Sequence, residues 1–398
     1  MKNITLTVNG VKRNIAAGPD LVLIDPLREQ LNLTGTKQSC DRKGQCGACT
    51  VIVDGKAVRS CLKKVSELDG AEVITVEGLG TPENPHLIQE AFVLAGAIQC
   101  GYCTPGMIMA TKALLDANPD PDDAAIKKAL ARNLCRCTGY VKIIDAIKLA
   151  AKFLRKETTP AKVRAAINKN KMIGESHPRP SSMIKACGLA KFGGDIKMDN
   201  MLEIAAVHST EFHAVIKSID TSAAKKMPGV VGVMTAEDVK GTNRLRVIAP
   251  DQPLLCEDKV RTLGDPVAIV AAETREQARA AAAAVIVTYE KLPVMMTPEE
   301  ALAPGAYKIH PHSPNLCFQQ PLIKGDAEAA FKSAKYVVSG DFSTQMNHQA
   351  PLEPETCVSY LNGEELVVIG RSIMIHAHAA ILQEAVGAKK IRYQEPFS

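Results

Sequence analysis

The chain has 398 residues, of which 46% are hydrophobic and 23% charged, the balance of roughly two to four globular domains and not of a disordered or fibrous protein. A net charge of +5, from 48 basic and 43 acidic residues interleaved along the chain, gives no footprint for nucleic acid, and 4% aromatics without Trp leave little base-stacking surface. No run approaches the roughly eighteen apolar residues of a membrane span and the start lacks a signal-peptide core, so the reading is a cytoplasmic protein with no membrane partner, where clustered cysteines bind metal more readily than they pair.

Residues 4–8 and 11–15 alternate with period two around Asn9-Gly10, which predicts a hairpin. Asp25-Pro26 predicts a short helix with Asp as N-cap and Pro at the first helical position. Residues 35–49 form a glycine-containing loop; 50–53 and 73–76 predict strands, with a turn at Asp54-Gly55. Residues 1–78 are therefore expected to form a small mixed sheet crossed by one helix. Beyond them the period becomes helical over 87–97, 105–116, 122–134 and 140–156, with Thr104 placed as an N-cap before Pro105. This 79–157 region predicts four helices.

Residues 158–180 are basic and lack apolar periodicity, and are expected to be a linker. An α/β region follows over 181–310, with strands expected at 202–207, 229–234, 267–272 and 285–289 and a helix at 274–284. A third region, 311–398, predicts strands at 336–342, 357–360 and 366–369 and a helix at 375–386. The fold class expected is α+β and multidomain.

Eight of the twelve cysteines lie between residues 40 and 137 in two quartets: Cys40, Cys46, Cys49 and Cys61, then Cys100, Cys103, Cys135 and Cys137. Four thiolates suit a 2Fe–2S cluster, and a Cys-x2-Cys pair after a slightly longer gap resembles the plant-ferredoxin spacing. Structural zinc ordinarily uses two separated knuckles, whereas the first quartet has one and the second ends in a tight Cys-x-Cys pair. Spacing favours iron–sulfur, with zinc and unligated core thiols as the alternatives. Cys187, Cys256, Cys317 and Cys357 stand alone and read as core hydrophobes. His376 and His378, two apart on a predicted helix, point to different faces and read as ordinary histidines; His348 and Glu353 read as structural.

Three longer motifs carry a resemblance: Gly35-Thr-Lys-Gln-Ser-Cys-Asp-Arg-Lys-Gly-Gln-Cys-Gly-Ala-Cys-Thr50, Gln99-Cys-Gly-Tyr-Cys-Thr-Pro-Gly106 and Cys135-Arg-Cys-Thr-Gly-Tyr140. They resemble the molybdenum hydroxylases, the xanthine dehydrogenase and aldehyde oxidoreductase superfamily. Ile173-Gly-Glu-Ser-His-Pro-Arg-Pro180, His208-Ser209, Met227-Pro-Gly-Val230, Gly264-Asp-Pro-Val-Ala268, Tyr289-Glu-Lys-Leu-Pro293 and Pro351-Leu-Glu-Pro354 extend it along essentially the whole chain. With no flavin domain between the cysteines and the later motifs, the order looks like that of bacterial aldehyde oxidoreductases.

The resemblance implies a ferredoxin-like β-grasp domain, a four-helix iron–sulfur domain, an α/β hammerhead and the start of a molybdopterin-binding domain. It implies two 2Fe–2S clusters on the eight cysteines and a molybdopterin cytosine dinucleotide with molybdenum, shared with residues outside this chain. Gln99 and Cys137 correspond to positions beside the pterin. Electrons from aldehyde oxidation would leave through the clusters to a ferredoxin, flavodoxin or flavoprotein. Alternatives are a component of a xanthine or N-heterocycle dehydrogenase, and a stand-alone two-cluster electron carrier.

Two departures stand out. The first gap is Cys40-x5-Cys46, one residue longer than in the family, so a bulge is expected within 41–43 if Cys40 is a ligand. The sequence given ends at Ser398, before the family's general-base glutamate, so no catalytic residue is assigned within it. The expectation is a second chain carrying the rest of the molybdenum domain, with a shortened version of a longer protein as the alternative; without that rest the chain is expected to be inactive, and a dimer is compatible with the family.

Overall fold

The computed structural model describes residues 2–167, 169–246 and 249–396. Its contacts divide the chain into two units, one of residues 1–196 with 347–358 and 395–398, the other of residues 197–346 with 359–394.

In the first unit, β1 (Lys2–Val8) and β2 (Val11–Ala17) pair antiparallel about Asn9 and Gly10, whose φ values of 50° and 79° suit the two-residue turn. With β3 (Thr50–Val53), β4 (Lys56–Arg59) and β5 (Glu72–Ile74) they form a five-stranded sheet in the order β2-β1-β5-β3-β4, with β1 and β5 parallel. Ile4, Leu6, Val8 and Ile15 are buried with Val51, Val53 and Val73, so the alternation of β1 decides which face meets the core. The helix expected across the sheet is a single π turn, Pro26–Gln30, and Asp25 makes no side-chain cap there. Five residues hold little more than one turn, and nucleation cost keeps so short a segment from extending unaided.

Helices α1 (Leu87–Leu94), α2 (Thr104–Ala117), α3 (Asp123–Leu130) and α4 (Val141–Leu154) follow. Their apolar faces bury Ile88, Phe92, Met107, Ile108, Ile126, Ile143 and Ile147 in one core. Asp122 caps α3 by accepting from the Ala125 N–H at 2.8 Å. Thr104, expected as a cap, is instead the first residue inside α2, and Cys103 occupies the cap position without a side-chain bond. Its sulfur faces the other cysteines, and Pro105 already relieves the helix of one orphan N–H.

The basic stretch expected to be a linker contains α5 (Pro160–Ala165), capped by Thr159 and tied to α1 by Arg164–Glu90 at 2.8 Å. Short α6 (Ser182–Ala186) buries Ala186 in the helical core, and residues 182–196 belong by contact to this first unit.

The second unit holds three-stranded antiparallel sheets. β6 (Glu203–His208), β10 (Pro266–Ala272) and β8 (Val230–Thr235) form one, in the order β6-β10-β8. β11 (Ile286–Lys291), β7 (Ala214–Asp220) and β9 (Lys259–Val260) form the other, in the order β11-β7-β9. Short α7 (Ser222–Lys225) precedes β8, and α8 (Arg275–Ala283), started by a Thr274/Gln277 capping box, packs on β6 and β10. Short α9 (Pro298–Leu302) and α10 (Ala327–Ser333) follow.

β12 (Cys357–Asn362), β13 (Glu365–Gly370) and β14 (Lys390–Gln394) make a third sheet, with α11 (Ile375–Val386) crossing over between the parallel β13 and β14. The strand expected at 336–342 is absent: that stretch is exposed, with Val338 and Phe342 facing solvent. Strand-forming residue types alone do not make a strand; a ladder partner is required, and none lies beside it among the described residues.

Candidate functional site

All eight cysteines of the two quartets belong to the first unit, and each quartet gathers as two pairs of sulfurs. Cys40 interacts with Cys46 and Cys49 with Cys61, and the two pairs feel each other electrostatically. In the second quartet Cys137 lies 3.6 Å from Cys100, and Cys103 interacts with Cys135. The hydrogen bond from Cys103 pulls Cys135 down to about 5 and raises Cys103 well above its ordinary value. The Cys49–Cys61 contact likewise raises Cys49 and lowers Cys61.

Two sulfurs beside two sulfurs is the donor set of a binuclear cluster, two thiolates to each iron. The residues present thus fit 2Fe–2S clusters.

The extra residue in the Cys40–Cys46 loop is absorbed by backbone. Asp41 and Arg42 both take left-handed φ, 48° and 64°, and the Lys43 N–H closes a turn onto the Cys40 carbonyl at 3.1 Å. The Gln45 N–H then donates to Cys40 Sγ at 3.4 Å. Burial opposes ionisation of Cys40, but the Cys46 and Gln45 amides, with smaller help from the Cys46 thiol and the Lys43 amide, outweigh it and hold the thiol below its ordinary value.

The Cys135–Tyr140 motif is built around its own tyrosine. The Tyr140 hydroxyl accepts from the Cys135 N–H at 3.0 Å, the Tyr140 N–H donates to Thr138 Oγ1 at 3.1 Å, and that hydroxyl donates to Cys135 Sγ at 3.1 Å. Tyr140 takes φ 69° at the entry to α4, so the loop reverses there and returns Cys135 to Cys103. Arg136 reaches the carbonyls of His348 and Gln349, at 2.6 Å to the former, while His348 Nδ1 accepts from the Ala350 N–H at 2.8 Å. His348 serves this turn; Glu353 is buried nearby in the same unit.

The two quartets are joined tightly. The Leu134 N–H donates to the Cys46 carbonyl at 2.8 Å, so one hydrogen bond and one peptide unit connect a residue of the first quartet to Cys135 of the second. Asn133, buried, donates to the Gly47 carbonyl at 3.0 Å and to Thr50 Oγ1 at 3.1 Å. A Cβ at Gly47 would stand 2.2 Å from the Arg132 carbonyl, and one at Gly106 2.3 Å from the Gly47 carbonyl, which is why glycine occupies both. Tyr102, Ala48 and Phe192 pack with Cys46, Cys40 and Cys100 in one apolar cluster, and the Tyr102 hydroxyl donates to the Gln38 carbonyl at 2.6 Å.

A group that the sequence does not flag lies beside the first loop. Lys37, only 1% exposed, donates to Asp195 at 2.5 Å, and Arg28 donates to the other Asp195 oxygen at 2.7 Å while also holding the Thr36 carbonyl at 2.9 Å. Burial would raise the Asp195 carboxyl; Lys37 and Arg28 more than offset this and hold it below the usual range. Lys37 sits inside the first cysteine motif, but its burial and its distant partner leave no local pattern.

Gln99 and Cys137 are both exposed, next to the Cys100–Cys137 pair. The Gln99 carbonyl accepts from Arg179 at 3.0 Å and Lys185 at 3.1 Å, which fixes the backbone and leaves the side chain outward. Of the isolated cysteines, Cys187 and Cys256 are buried as expected; Cys317 and Cys357 are exposed, because the stretch around Cys317 lacks a covering layer and Cys357 starts an edge strand. His378 bonds Ser372 Oγ at 2.9 Å. Among the described residues no helix is long and apolar enough to cross a membrane.

Comparison with known proteins matches four domain families in order. Residues 6–77 match a 2Fe-2S iron-sulfur cluster binding domain and 75–148 a [2Fe-2S] binding domain. Residues 187–293 match the hammerhead domain of aldehyde oxidase and xanthine dehydrogenase, and 309–397 a molybdopterin cofactor-binding domain. The aldehyde oxidoreductase of Megalodesulfovibrio gigas is 40% identical over 96% of this chain and 44% of its own length. The nicotinate dehydrogenase small FeS subunit of Eubacterium barkeri is 50% identical over 37% of this chain and 93% of its own. The solved aldehyde oxidoreductase of Desulfovibrio gigas superposes on the whole chain with a TM-score of 0.93 and 38% identity, and 46% of that protein is covered. The chain spans under half the length of the aldehyde oxidoreductases it matches.

Proposed function

The chain belongs to the xanthine dehydrogenase and aldehyde oxidoreductase family of molybdenum hydroxylases, and from that premise we propose that it carries the electron exit of an aldehyde-oxidising enzyme. Its two 2Fe–2S domains and its hammerhead are those of an aldehyde oxidoreductase-type component. The observation that carries the proposal is the pair of sulfur quartets joined through the Cys46–Leu134 hydrogen bond, on a chain that continues into a molybdopterin-binding domain. A molybdenum cofactor, when bound, supplies the hydroxylation chemistry. The overall change converts aldehyde and water to carboxylic acid, two protons and two electrons, and two one-electron clusters match that output.

In this reading Cys40, Cys46, Cys49 and Cys61 hold the outer cluster and Cys100, Cys103, Cys135 and Cys137 the inner one. Gln99 and Cys137 present the inner cluster to the pterin, taken as the cytosine dinucleotide form. Each electron then crosses from Cys135 through Leu134 to Cys46. Phe192 and Tyr102, edge to face at 5.1 Å, pack with Cys40, Cys46 and Cys100, and an apolar setting of this kind lowers the reorganisation that a hop costs.

Isolation of the native assembly with metal analysis tests the proposal: about four irons per chain are expected with molybdenum and aldehyde-dependent dye reduction. Iron without molybdenum and without aldehyde oxidation would reduce the chain to an electron carrier. The 50% identity to a nicotinate dehydrogenase subunit favours a second reading, N-heterocycle hydroxylation; reduction by nicotinate but not by aldehydes would select it.

A further inference from the structure

We propose that the face around Leu62 docks an acidic electron-carrier protein, which takes the electron from the outer cluster. The inference rests on the reading of the Cys40–Cys61 cluster as the exit.

Cys61 sits in a 3-10 turn, Ser60–Leu62, and the next side chain, Leu62, is 53% exposed. Leu62 lies against the Cys40–Cys46 loop: a Cβ at Gly44 would be 2.4 Å from Leu62 Cδ1. An apolar side chain thus stands at the surface beside the quartet, where a partner's redox centre could come within tunnelling range.

Leu62 also lines an open cavity of about 450 Å³ between the sheet and the α3 end of the helical domain. Arg59, Lys63, Lys128 and Arg132 line it with a single carboxylate, Glu67. None of the four cations is ion-paired with an acid among the described residues, whereas the nearby Arg42 and Lys64 are bound to Asp25 and Asp20. Cations left without carboxylates around an exposed apolar residue match the two parts of a transient electron-transfer interface: a small dry centre and a charged rim that steers encounter. The positive rim selects an acidic partner. In the step one electron leaves the reduced cluster, which returns to its oxidised state, and reduces the carrier by one electron; no bond forms or breaks.

The test uses the native assembly, reduced with dithionite and freed of excess reductant, and mixes it with an acidic flavodoxin, basic cytochrome c or an uncharged dye. The comparison is with Lys63→Glu/Arg132→Glu. Transfer to flavodoxin should slow with rising salt in the parent and fall about tenfold in the variant at low salt, while transfer to cytochrome c rises and dye reduction is unchanged. Unchanged cluster absorbance and dye rate certify the fold. Flavodoxin rates that ignore both salt and charge reversal overturn the docking proposal, as does blockade by inorganic pyrophosphate at micromolar concentration, which would assign the cavity to a small anion. Failure of the reduced parent to reduce even the dye would instead overturn the exit reading.

Discussion

Cys40 reaches Cys46 only because Asp41 and Arg42 accept left-handed backbone in succession, a conformation that costs about 1 kcal/mol or more at each non-glycine residue. The chain retains that strain, and the Gln45 amide points at the Cys40 sulfur, as expected of a ligand. Cys40→Ser should therefore lose or alter the outer cluster while keeping the inner one, with iron falling from about four to about two per chain if the loss is complete. Unchanged iron content and unchanged paramagnetic-resonance signals would remove Cys40 from the ligand set.

Asp195 is the second residue on which much depends. Asp195→Asn leaves Lys37 buried without its counter-charge, and thermal unfolding followed by circular dichroism should show a loss of about 3 kcal/mol. Because the folded carboxyl is depressed, its contribution is fully present above the ordinary carboxyl value of about 3.9 and disappears as pH falls through the lower folded value. The gap between parent and variant should thus be constant above about pH 5 and close at more acid pH. A gap that widens on acidification would contradict the pairing.

At the scale of elements, the first cysteine loop, the α3–α4 loop and the start of α2 interlock through backbone. Gly106 is the cleaner probe, since its conformation is ordinary helix and only space is at issue. Gly106→Ala should cost about 1–3 kcal/mol and weaken the magnetic coupling between the two reduced clusters. Full stability with unaltered coupling would show that the loops do not depend on this approach.

The elements themselves were legible where a periodic run met a turn or break: the Asn9-Gly10 hairpin and α8 stand where the pattern puts them, while α3 starts after Asp122 but ends at Leu130, short of the expected 134, and the chain beyond it turns to give the Leu134 N–H to the Cys46 carbonyl. Those that were not legible depend on distant partners. β7, mostly polar or half exposed, is a strand because β11 and β9 flank it, and α5 lies against α1 within a stretch that composition reads as linker. Conversely residues 336–342, with Tyr336, Val337 and Val338 of strand-forming type, make no strand. The grouping of the cysteines into two quartets could be read from spacing, whereas the Lys37–Asp195–Arg28 cluster and the Tyr140 brace could not, because a buried ion pair across some 158 residues leaves no periodic trace.

For the whole molecule, the order in sequence is two iron–sulfur domains, a hammerhead and a molybdopterin-binding domain, which in the proposed function makes the first two a path for electrons from the last. The central claim, that electrons from aldehyde oxidation reach both quartets, is tested most directly by electron paramagnetic resonance on the native assembly, frozen after mixing with an aldehyde and without added reductant. The account predicts two distinct 2Fe–2S signals, both lost on adding a flavodoxin. Signals that dithionite elicits and aldehyde does not would contradict it.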